Sequence, residues 1–530
     1  MNPAYPSRAV ARTMRGMIAT PHWSATLAGL EMLRRGGTAV DAAIAANGVL
    51  SVVYPASCGL GGDAFWLVYE PRTREVIAYN GSGRAPKGLH AGLVRERGYA
   101  AMPQRGALTV TVPGAVRSWE DVARVHGRFG LDELLRPAEA AARDGYVVTD
   151  VVAAYFALNE ALLREDPDAS ALFLARGVPQ AGETLVNLPL AATLRAIRSG
   201  GADAFYRGPI AESIARWVAR GGNPMTVEDL AEQRTERMMP VRIPWHGAEV
   251  YAHPPNSQGA VALMALGALA NDGAACDLEW THLAIEALKY AFDARDERFA
   301  EPAAMRAPIG DLLTPEAFAH VRGAIDPARA RERRHPADRG GTIAIVAVDD
   351  ERRAVSLIES LYMNFGSGIL PEGTGVLLQN RGTYFSLEAG HPNELAGHKR
   401  PLHTLSPGML LRDGVPELVY GTMGGDGQPQ THVQLLHNFY ERGMSLQEAV
   451  DAPRFVYGRD SESAYADSVT LESRAPDELV EGLRARGHAV DVIGPYENKL
   501  GHAHAIFVDR ARGTLAAASD PRADSAALGY

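Results

Sequence analysis

Cysteine is almost absent from this sequence, which has only Cys58 and Cys276 among 530 residues. Two cysteines cannot form the disulfide framework that stabilises many small secreted proteins. Each has small or glycine neighbours, which indicates a free thiol with a packing role. The chain is longer than one hydrophobic core usually organises. We therefore expect one large compact unit, or two closely interleaved ones.

Long hydrophobic runs are also absent. The longest apolar segment, Ala42 to Val53, is interrupted by Asn47 and Ser51 and is too short to span a bilayer. The N-terminal stretch MNPAYPSRAVARTMRGMIATPHW has basic residues but no apolar stretch as long as that of a signal peptide. A net charge of −10 and a pI near 5.9 argue against nucleic acid or an anionic membrane as the main partner. These absences predict a cytoplasmic protein that binds neither nucleic acid nor a membrane.

Several common catalytic motifs are missing. The sequence contains no Gly-x-Ser-x-Gly elbow, no Walker loop and no His-Glu-x-x-His helix. The glycine-rich segment 59–62 does not match the dinucleotide-binding fingerprint. Two histidine pairs have spacings that could accept a metal but lack cysteine or acidic partners in a compatible pattern: His391 with His398, and His502 with His504. We therefore expect no metal and no cofactor.

The most informative feature is a change of pattern near residue 342. Residues 115–300 look mainly helical. The segment from Ala330 to Arg339, ARERRHPADR, is highly charged without apolar periodicity, so we expect it to be exposed and flexible. Two apolar, β-branched segments then predict strands, Thr342 to Asp349 and Ala354 to Leu361. Because their apolar residues do not alternate with polar ones, they predict a sheet covered on both faces.

Five collinear segments connect this pattern to a known family: ATPHWSATLAGLEMLRRGGTAVDAAIAANGVLSVVYPASCGLGGDAF, FYRGPIAESIA, MTVEDLAEQRTERMMPVRIPWHGAEVYAHPPNSQG, EALKYAFDARDERFAEP and ASDPRADSAALGY. Along nearly its entire length, the sequence resembles the γ-glutamyltransferase family. The resemblance implies an α+β fold, the four-layer αββα sandwich of N-terminal-nucleophile hydrolases. It also implies a threonine nucleophile that self-cleavage exposes.

The residue that matches this nucleophile is Thr342, followed by Asp349 as in the family's T-x6-D strand. Without the resemblance, Thr342 would be an ordinary strand threonine. Its hydroxyl would attack the carbonyl of Gly341, a residue that leaves the carbonyl sterically open. The new α-amino group, whose reference pKa is about 7.7–8.0, would then accept the hydroxyl proton. The predicted cut separates a large segment, 1–341, from a small segment, 342–530, which stay together as one interleaved heterodimer.

Two further parts of the machinery follow from the resemblance. Gly424 and Gly425, in GTMGGDGQPQ, match the family's oxyanion pair, whose N–H groups would face the developing negative charge. The alternative is a plain glycine turn. Ser360 matches a second hydroxyl that orients the catalytic threonine, although by itself it would be an ordinary strand serine.

The substrate-recognition positions depart from the family. The arginine that binds the α-carboxylate of a γ-glutamyl donor aligns near Ser82, with Arg84 close by. The three residues that bind the α-ammonium align with Tyr362, Arg381 and Tyr384, and the family's paired serines align with His403 and Thr404. The family's acid is therefore missing, and a buried ammonium without a carboxylate is strongly disfavoured.

The altered pocket is predicted to be cationic. Arg381 and His403 could bind a carboxylate, while the two tyrosines narrow the space. This predicts a small amide with a carboxylate but no α-ammonium, like the substrate of the oxamate amidohydrolase branch. Several alternatives stay open: a γ-glutamyl hydrolase or transferase acting on glutathione-type donors, a cephalosporin-type acylase, or an uncleaved scaffold protein. Arg381 could instead form a surface salt bridge, His403 could be structural and Tyr384 could simply pack. The sequence leaves hydrolysis versus transfer and any higher-order homo-oligomer undecided.

Overall fold

A computed structural model describes residues 7–270, 276–333, 335–336, 340–458 and 465–530. The strands in these ranges are β1 Ala11–Thr13, β2 Met17–Thr20, β3 Asp63–Glu70, β4 Glu75–Gly81, β5 Tyr146–Val147, β6 Thr184–Leu185, β7 Glu236–Met238, β8 Val241–Trp245, β9 Ala248–Ala252, β10 His335–Pro336, β11 Gly340–Val348, β12 Ala354–Met363, β13 Gly408–Arg412, β14 Val415–Thr422, β15 Phe455–Tyr457, β16 Tyr465–Ala466, β17 Ser468–Glu472, β18 Ala489–Ile493, β19 Ala503–Asp509, β20 Thr514–Ser519 and β21 Ala526–Gly529.

The α-helices in the same ranges are α1 Trp23–Arg34, α2 Ala39–Val53, α3 Ala91–Glu96, α4 Ala115–His126, α5 Leu131–Leu134, α6 Arg136–Asp144, α7 Asp150–Leu158, α8 Glu160–Glu165, α9 Pro167–Phe173, α10 Leu188–Gly200, α11 Asp203–Tyr206, α12 Pro209–Arg220, α13 Val227–Ala231, α14 Ala260–Leu269, α15 Asp277–Arg298, α16 Pro315–Ala324, α17 Gly427–Leu436, α18 Leu446–Asp451 and α19 Asp477–Ala485. Among the described residues, no helix is both long and apolar enough to cross a membrane.

Two seven-stranded antiparallel sheets form the centre of the molecule. Their strand orders are β21-β2-β11-β12-β3-β4-β7 and β1-β20-β19-β14-β13-β9-β8. The sheets pack face to face, because Leu67 and Val346 of the first share an apolar cluster with Met409 and Val419 of the second. Helices α1 and α2 cover the outer face of the first sheet, and α14, α15 and α17 cover the second. The predicted αββα sandwich is confirmed.

Strands β11 and β12 lie in the interior of the first sheet. Every residue of both is buried, because one face packs on the second sheet and the other on α2. This explains why their apolar residues do not alternate with polar ones. Strands from both sides of the predicted cut lie within each sheet: β11 pairs with β2, and β9 with β13.

Two sequence expectations need correction. Cys58 is buried, as expected, but Cys276 is exposed, so the packing role predicted for its thiol is wrong. The charged segment 330–339 lies partly outside the described residues, which leave out 334 and 337–339. Within its described part, Arg333 is buried and ion-paired with Asp293 and Asp296. Arg333 is therefore anchored rather than exposed, while its neighbour Glu332 is exposed as predicted.

Candidate active site

Thr342 lies at an irregular point of β11. Gly341 pairs with Tyr362 and Ile343 pairs with Glu359, so β12 has one extra residue opposite Thr342. Such a bulge redirects the local side chains. Ser360, in the bulge, has its Oγ 3.3 Å from Thr342 Oγ1. The two hydroxyls predicted to act together therefore meet in the structure, and both are fully buried.

Both hydroxyls donate to the same acceptor. Thr342 Oγ1 and Ser360 Oγ each donate a hydrogen bond to the carbonyl oxygen of Gly341 at 2.6 Å. The backbone N–H of Tyr362 donates to Ser360 Oγ at 2.6 Å and fixes that side chain. Two donors on one carbonyl withdraw electron density from its carbon, which favours nucleophilic attack there.

Gly424 and Gly425 form a tight turn at the start of α17. Their φ angles are +136° and +53°, in the region that favours glycine. The side-chain amide of Gln258 donates to the carbonyl of Gly425 at 2.9 Å and to that of Thr404 at 3.0 Å. Gln258 thus links the glycine turn to the predicted substrate pocket. An oxyanion role for the two glycines stays a prediction.

Arg381 lies at the centre of the predicted substrate residues and is fully buried, so the surface salt-bridge alternative is wrong. Its Nη1 donates to Thr404 Oγ1 at 3.0 Å, and its Nη2 donates to Ser360 Oγ at 3.5 Å. The guanidinium carbon lies 4.4 Å from the ring centre of Tyr362 and 5.6 Å from that of Tyr384. The tyrosines therefore cover the guanidinium, whereas their narrowing of the substrate space stays a prediction.

His403 does not add the positive charge expected of it. Its Nε2 lies 3.1 Å from a carboxylate oxygen of Asp63, and the N–H of Leu405 donates to its Nδ1 at 3.4 Å. Nδ1 therefore accepts, and Nε2 carries the proton that is donated to Asp63. Burial, assisted by the charge of Arg381, lowers the pKa of His403 well below its usual value. Protonating this ring is unfavourable, because it is fully buried and lies near the charge of Arg381.

Asp63 is the carboxyl group that contacts His403. Its Oδ1 accepts hydrogen bonds from the N–H of Gly83 at 3.0 Å, the N–H of Gly114 at 3.1 Å and the amide of Gln379 at 3.1 Å. Burial raises the pKa of Asp63 to about 7, although Arg381 and these donors act to lower it. Asp63 directly follows the glycine-rich segment 59–62, and nothing in the local sequence pattern pointed to it as a site residue.

Ser82 and Arg84 have other partners. The hydroxyl of Ser82 donates to the side-chain oxygen of Asn80 at 2.6 Å. The guanidinium of Arg84 is ion-paired with Glu301 and Glu236. These partners differ from Thr342 and Arg381, so a substrate-binding role for Ser82 and Arg84 stays a prediction.

Asp426 is another functional candidate that the sequence analysis missed. Its Oδ1 accepts from Arg295 at 2.5 Å and from the hydroxyl of Tyr384 at 3.2 Å. Tyr384 is therefore fixed by a hydrogen bond in addition to packing. Asp426 directly follows the glycine pair in the quoted motif, which was a local signal. Its partner Arg295 lies on α15, and only the tertiary structure brings the two together.

The two tyrosines that cover Arg381 line a cavity of about 300 Å³, with Met363 and Asp426 also in its wall. Among the described residues, one group of three possible metal ligands comes close enough to bind one ion: His282, Glu286 and His488. That group includes neither of the histidine pairs considered from the sequence, and none of its members contacts Thr342 or Ser360 in the described hydrogen bonds.

The four-layer fold, with a buried threonine near the start of a central strand, defines a hydrolase of the N-terminal-nucleophile class. A family model described as gamma-glutamyltranspeptidase matches residues 25–530, and the chain belongs to that family. It is 38% identical over 519 residues to a glutathione hydrolase-like YwrD proenzyme of Bacillus subtilis (strain 168), covering 97% of this chain and 98% of that protein.

Two further relatives agree with this assignment. The chain is 38% identical over 524 residues to an oxamate amidohydrolase proenzyme of Klebsiella pneumoniae subsp. pneumoniae, covering 97% of this chain and 98% of that protein. The crystal structure of a cephalosporin acylase from Bacillus halodurans superposes with a TM-score of 0.92 at 35% identity, covering 99% of this chain and 98% of that one. The names of these relatives cover three different substrates, so they establish the enzyme class and not the substrate.

Proposed function

We propose that this protein is a self-cleaving amidohydrolase whose Thr342 hydrolyses small amides with a carboxylate close to the scissile carbonyl, as in oxamate. The observation that carries the proposal is the position of Arg381. Its Nη2 lies 3.5 Å from Ser360 Oγ, which in turn lies 3.3 Å from the Thr342 hydroxyl oxygen. A carboxylate bound by Arg381 would therefore belong to an acyl group with a short chain.

Self-cleavage begins from the contacts of the uncut chain. Thr342 Oγ1 attacks the Gly341 carbonyl carbon, and the Gly341–Thr342 C–N bond breaks. The departing nitrogen takes up the proton that the hydroxyl loses and becomes the α-amino group of Thr342. Water then hydrolyses the ester that joins Gly341 to Thr342 Oγ1. The products are a carboxylate at Gly341 and a free amino-terminal threonine with its hydroxyl.

Substrate hydrolysis repeats this chemistry with an external amide. The α-amino group of Thr342 accepts the hydroxyl proton as Oγ1 attacks the substrate carbonyl. The amide C–N bond breaks, the amine departs with that proton, and an acyl ester stays on Oγ1. The N–H groups of Gly424 and Gly425 would stabilise the oxyanion. Water hydrolyses the ester and regenerates the threonine.

The surroundings of Arg381 argue against an α-ammonium in the substrate. Asp63 accepts hydrogen bonds from Gly83, Gly114, Gln379 and His403, as described above. Asp426 accepts from Arg295 and Tyr384. Asp296, which also lines the 300 Å³ cavity, is paired with Arg295 and Arg333. These three acids therefore have partners within the protein, and an ammonium would lie beside the positive charge of Arg381.

The test combines intact mass with a substrate panel. We expect wild-type fragments covering residues 1–341 and 342–530, and a single uncut chain for Thr342→Ala. The cleaved enzyme should hydrolyse oxamate and malonamate with a kcat/KM at least about 100-fold higher than that for γ-glutamyl anilide. Arg381→Met should remove this preference, whereas the control Arg198→Met, whose guanidinium pairs with Asp132 and Glu139, should retain it. Faster hydrolysis of the γ-glutamyl compound, or a wild-type chain that stays uncut, would contradict the proposal.

A further inference from the structure

A second cavity adjoins the nucleophile. It has a volume of about 430 Å³, within the usual size range of small-molecule sites. Gly340, Asn364 and Met423 form its inner wall. The remaining wall comes from α7 and a short C-terminal segment: Asp150, Val151, Ala154, Tyr155, Leu158, Glu497, Asn498 and Lys499. We call it the outer cavity, and the 300 Å³ cavity beside Tyr384 the inner cavity.

The two cavities share the elements that flank Thr342. At the end of β12, Met363 lines the inner cavity and the next residue, Asn364, lines the outer one. In the loop before α17, Met423 lines the outer cavity and Asp426 the inner one. Gly424 and Gly425 lie between those two residues in the chain. A carbonyl bound at the glycine pair would therefore have one cavity on each side.

The chemistry of the outer cavity differs from that around Arg381. Its surface is mostly apolar, and Leu158 on α7 is 79% exposed. An apolar side chain with that exposure gains free energy when a ligand covers it. Gly340 belongs to the peptide that the proposed cut separates from Thr342. Cleavage would therefore remove the covalent link between this wall and the nucleophile.

We propose that the outer cavity binds the leaving amine, and that the natural substrate is a secondary amide whose amine half has an apolar body. This inference rests on the proposed function and names the half of the substrate that Arg381 does not contact. The acyl carboxylate lies at Arg381 and the amine extends into the outer cavity. When the C–N bond breaks, the acyl group stays on Thr342 Oγ1 and the amine accepts the proton from the α-amino group. Ammonia, the product from oxamate itself, would leave this cavity unused.

The test compares amides with the same acyl group and amines of similar reactivity. N-benzyloxamate should be hydrolysed with a kcat/KM at least about 10-fold higher than that of N-methyloxamate, because the ring gains apolar contacts. Ala154→Trp, which fills the cavity from α7, should remove the benzyl preference but retain hydrolysis of the methyl compound. Ala157→Trp is the control, since Ala157 is exposed on the same helix and does not line the cavity.

A second variant tests the wall without filling the space. Leu158→Asp should lower kcat/KM for N-benzyloxamate by about 10-fold and leave N-methyloxamate unaffected. Equal hydrolysis of the two amides by the wild type would overturn the inference while the proposed function stands. So would an equal loss for both amides in Ala154→Trp. If cleaved wild-type enzyme hydrolysed no oxamate-type amide at all, the proposed function itself would fail, and this inference with it.

Discussion

The side-chain oxygen of Asn364 lies 2.3 Å from the position that a β-carbon on Gly341 would occupy. Real β-carbons essentially never show such a contact, so a larger residue before the nucleophile would have to displace either Asn364 or the Gly341 peptide. The same peptide bears the carbonyl to which Thr342 and Ser360 donate. Any shift of Gly341 away from Asn364 would therefore also move the carbonyl relative to the attacking hydroxyl.

This relationship predicts the behaviour of Gly341→Ala. The added methyl must displace Asn364 or the Gly341 carbonyl, and we expect self-cleavage to slow by about 100-fold. Adding Asn364→Ala should restore most of the rate, because it removes the clashing atom. The rate is measured as the loss of intact chain by mass spectrometry. Gly130→Ala is the control, since no atom lies within 4 Å of its β-carbon position. A double variant as slow as the single one would contradict this explanation.

Ser360→Ala should slow self-cleavage by about 10- to 100-fold, because the Gly341 carbonyl loses one of its two hydroxyl donors. The same mass measurement applies. Ser356 provides a matched control: it is a buried serine of β12 whose hydroxyl donates instead to the carbonyl of Tyr420 at 2.8 Å. Ser356→Ala should leave the rate of cleavage within a few-fold of the wild type. Equal effects of the two variants would indicate general loosening of the strand.

The segment before the cut is bound along one face of α15. The carbonyl of Asp326 accepts from His282 Nε2 at 2.8 Å, and Lys289 donates to the carbonyl of Arg331 at 2.6 Å. Further along the helix, Arg333 pairs with Asp293 and Asp296. Successive turns of one helix therefore fix the chain up to residue 333.

Removing the ion pairs of Arg333 should slow self-cleavage more than it lowers the kcat of the cleaved enzyme. Arg333→Ala is expected to slow self-cleavage by about 10-fold, because the peptide is less well positioned. Once cleaved and purified, the variant should have a kcat close to the wild-type value. The control is Arg442→Ala, which breaks an exposed ion pair with Asp277 on the same helix. If Arg333→Ala lowered kcat as much as the cleavage rate, the anchor would not act on processing.

The buried carboxyl group of Glu359 should make the free energy of unfolding depend on pH. Burial raises its pKa from 4.5 to about 8, against hydrogen bonds from Asn47 and Gly59 that act to lower it. The folded state therefore binds more protons than the unfolded state between these values. The free energy of unfolding should fall as pH rises from about 4.5 to 8, by up to roughly 1.4 kcal/mol per pH unit for this group.

Glu359→Gln should flatten this decline. The measurement is Tm against pH, in a Thr342→Ala background that keeps the chain uncut. Glu70→Gln is the comparison variant, because the contribution of Glu70 to stability should change with pH in the opposite direction. Burial acts to raise the pKa of Glu70, but hydrogen bonding from His126 and the charge of Arg353 lower it overall. Stability from Glu70 is therefore lost as pH falls. An unchanged pH profile in Glu359→Gln would show that the carboxyl group does not titrate in this range.

Some features could be predicted from local patterns in the sequence. The apolar residues of β11 and β12 indicated buried strands because no polar residue interrupts them at alternate positions. Their observed limits differ from the predictions by a residue or two, since hydrogen bonding, and not composition, sets where a strand ends. The contact between Thr342 and Ser360 was predicted through the family resemblance, because Ser360 matches the family's hydroxyl that orients the catalytic threonine.

Charge was predicted less well. Arg381 and His403 were both expected to make the pocket positive. The buried guanidinium of Arg381 fits this expectation, but burial lowers the pKa of His403 and disfavours its charged form. An imidazole titrates near neutral pH, so burial and a neighbouring cation determine its state, whereas a guanidinium keeps its proton. Asp63, which accepts the His403 proton in a hydrogen bond, lies on a distant strand. No local pattern around residue 403 could reveal it.

The sequence by itself determined the family, the layered fold and the candidate nucleophile, because these depend on hydrophobic pattern and on a collinear resemblance along the whole chain. Only the tertiary structure decided which side chains surround that nucleophile. Three contacts between separate elements illustrate this: Asn364 lies against Gly341, Gln258 donates to the carbonyls of Thr404 and Gly425, and Arg295 donates to Asp426. Their energies depend on distance and burial, which arise when the two sheets and their helices pack together, and not on neighbours along the chain.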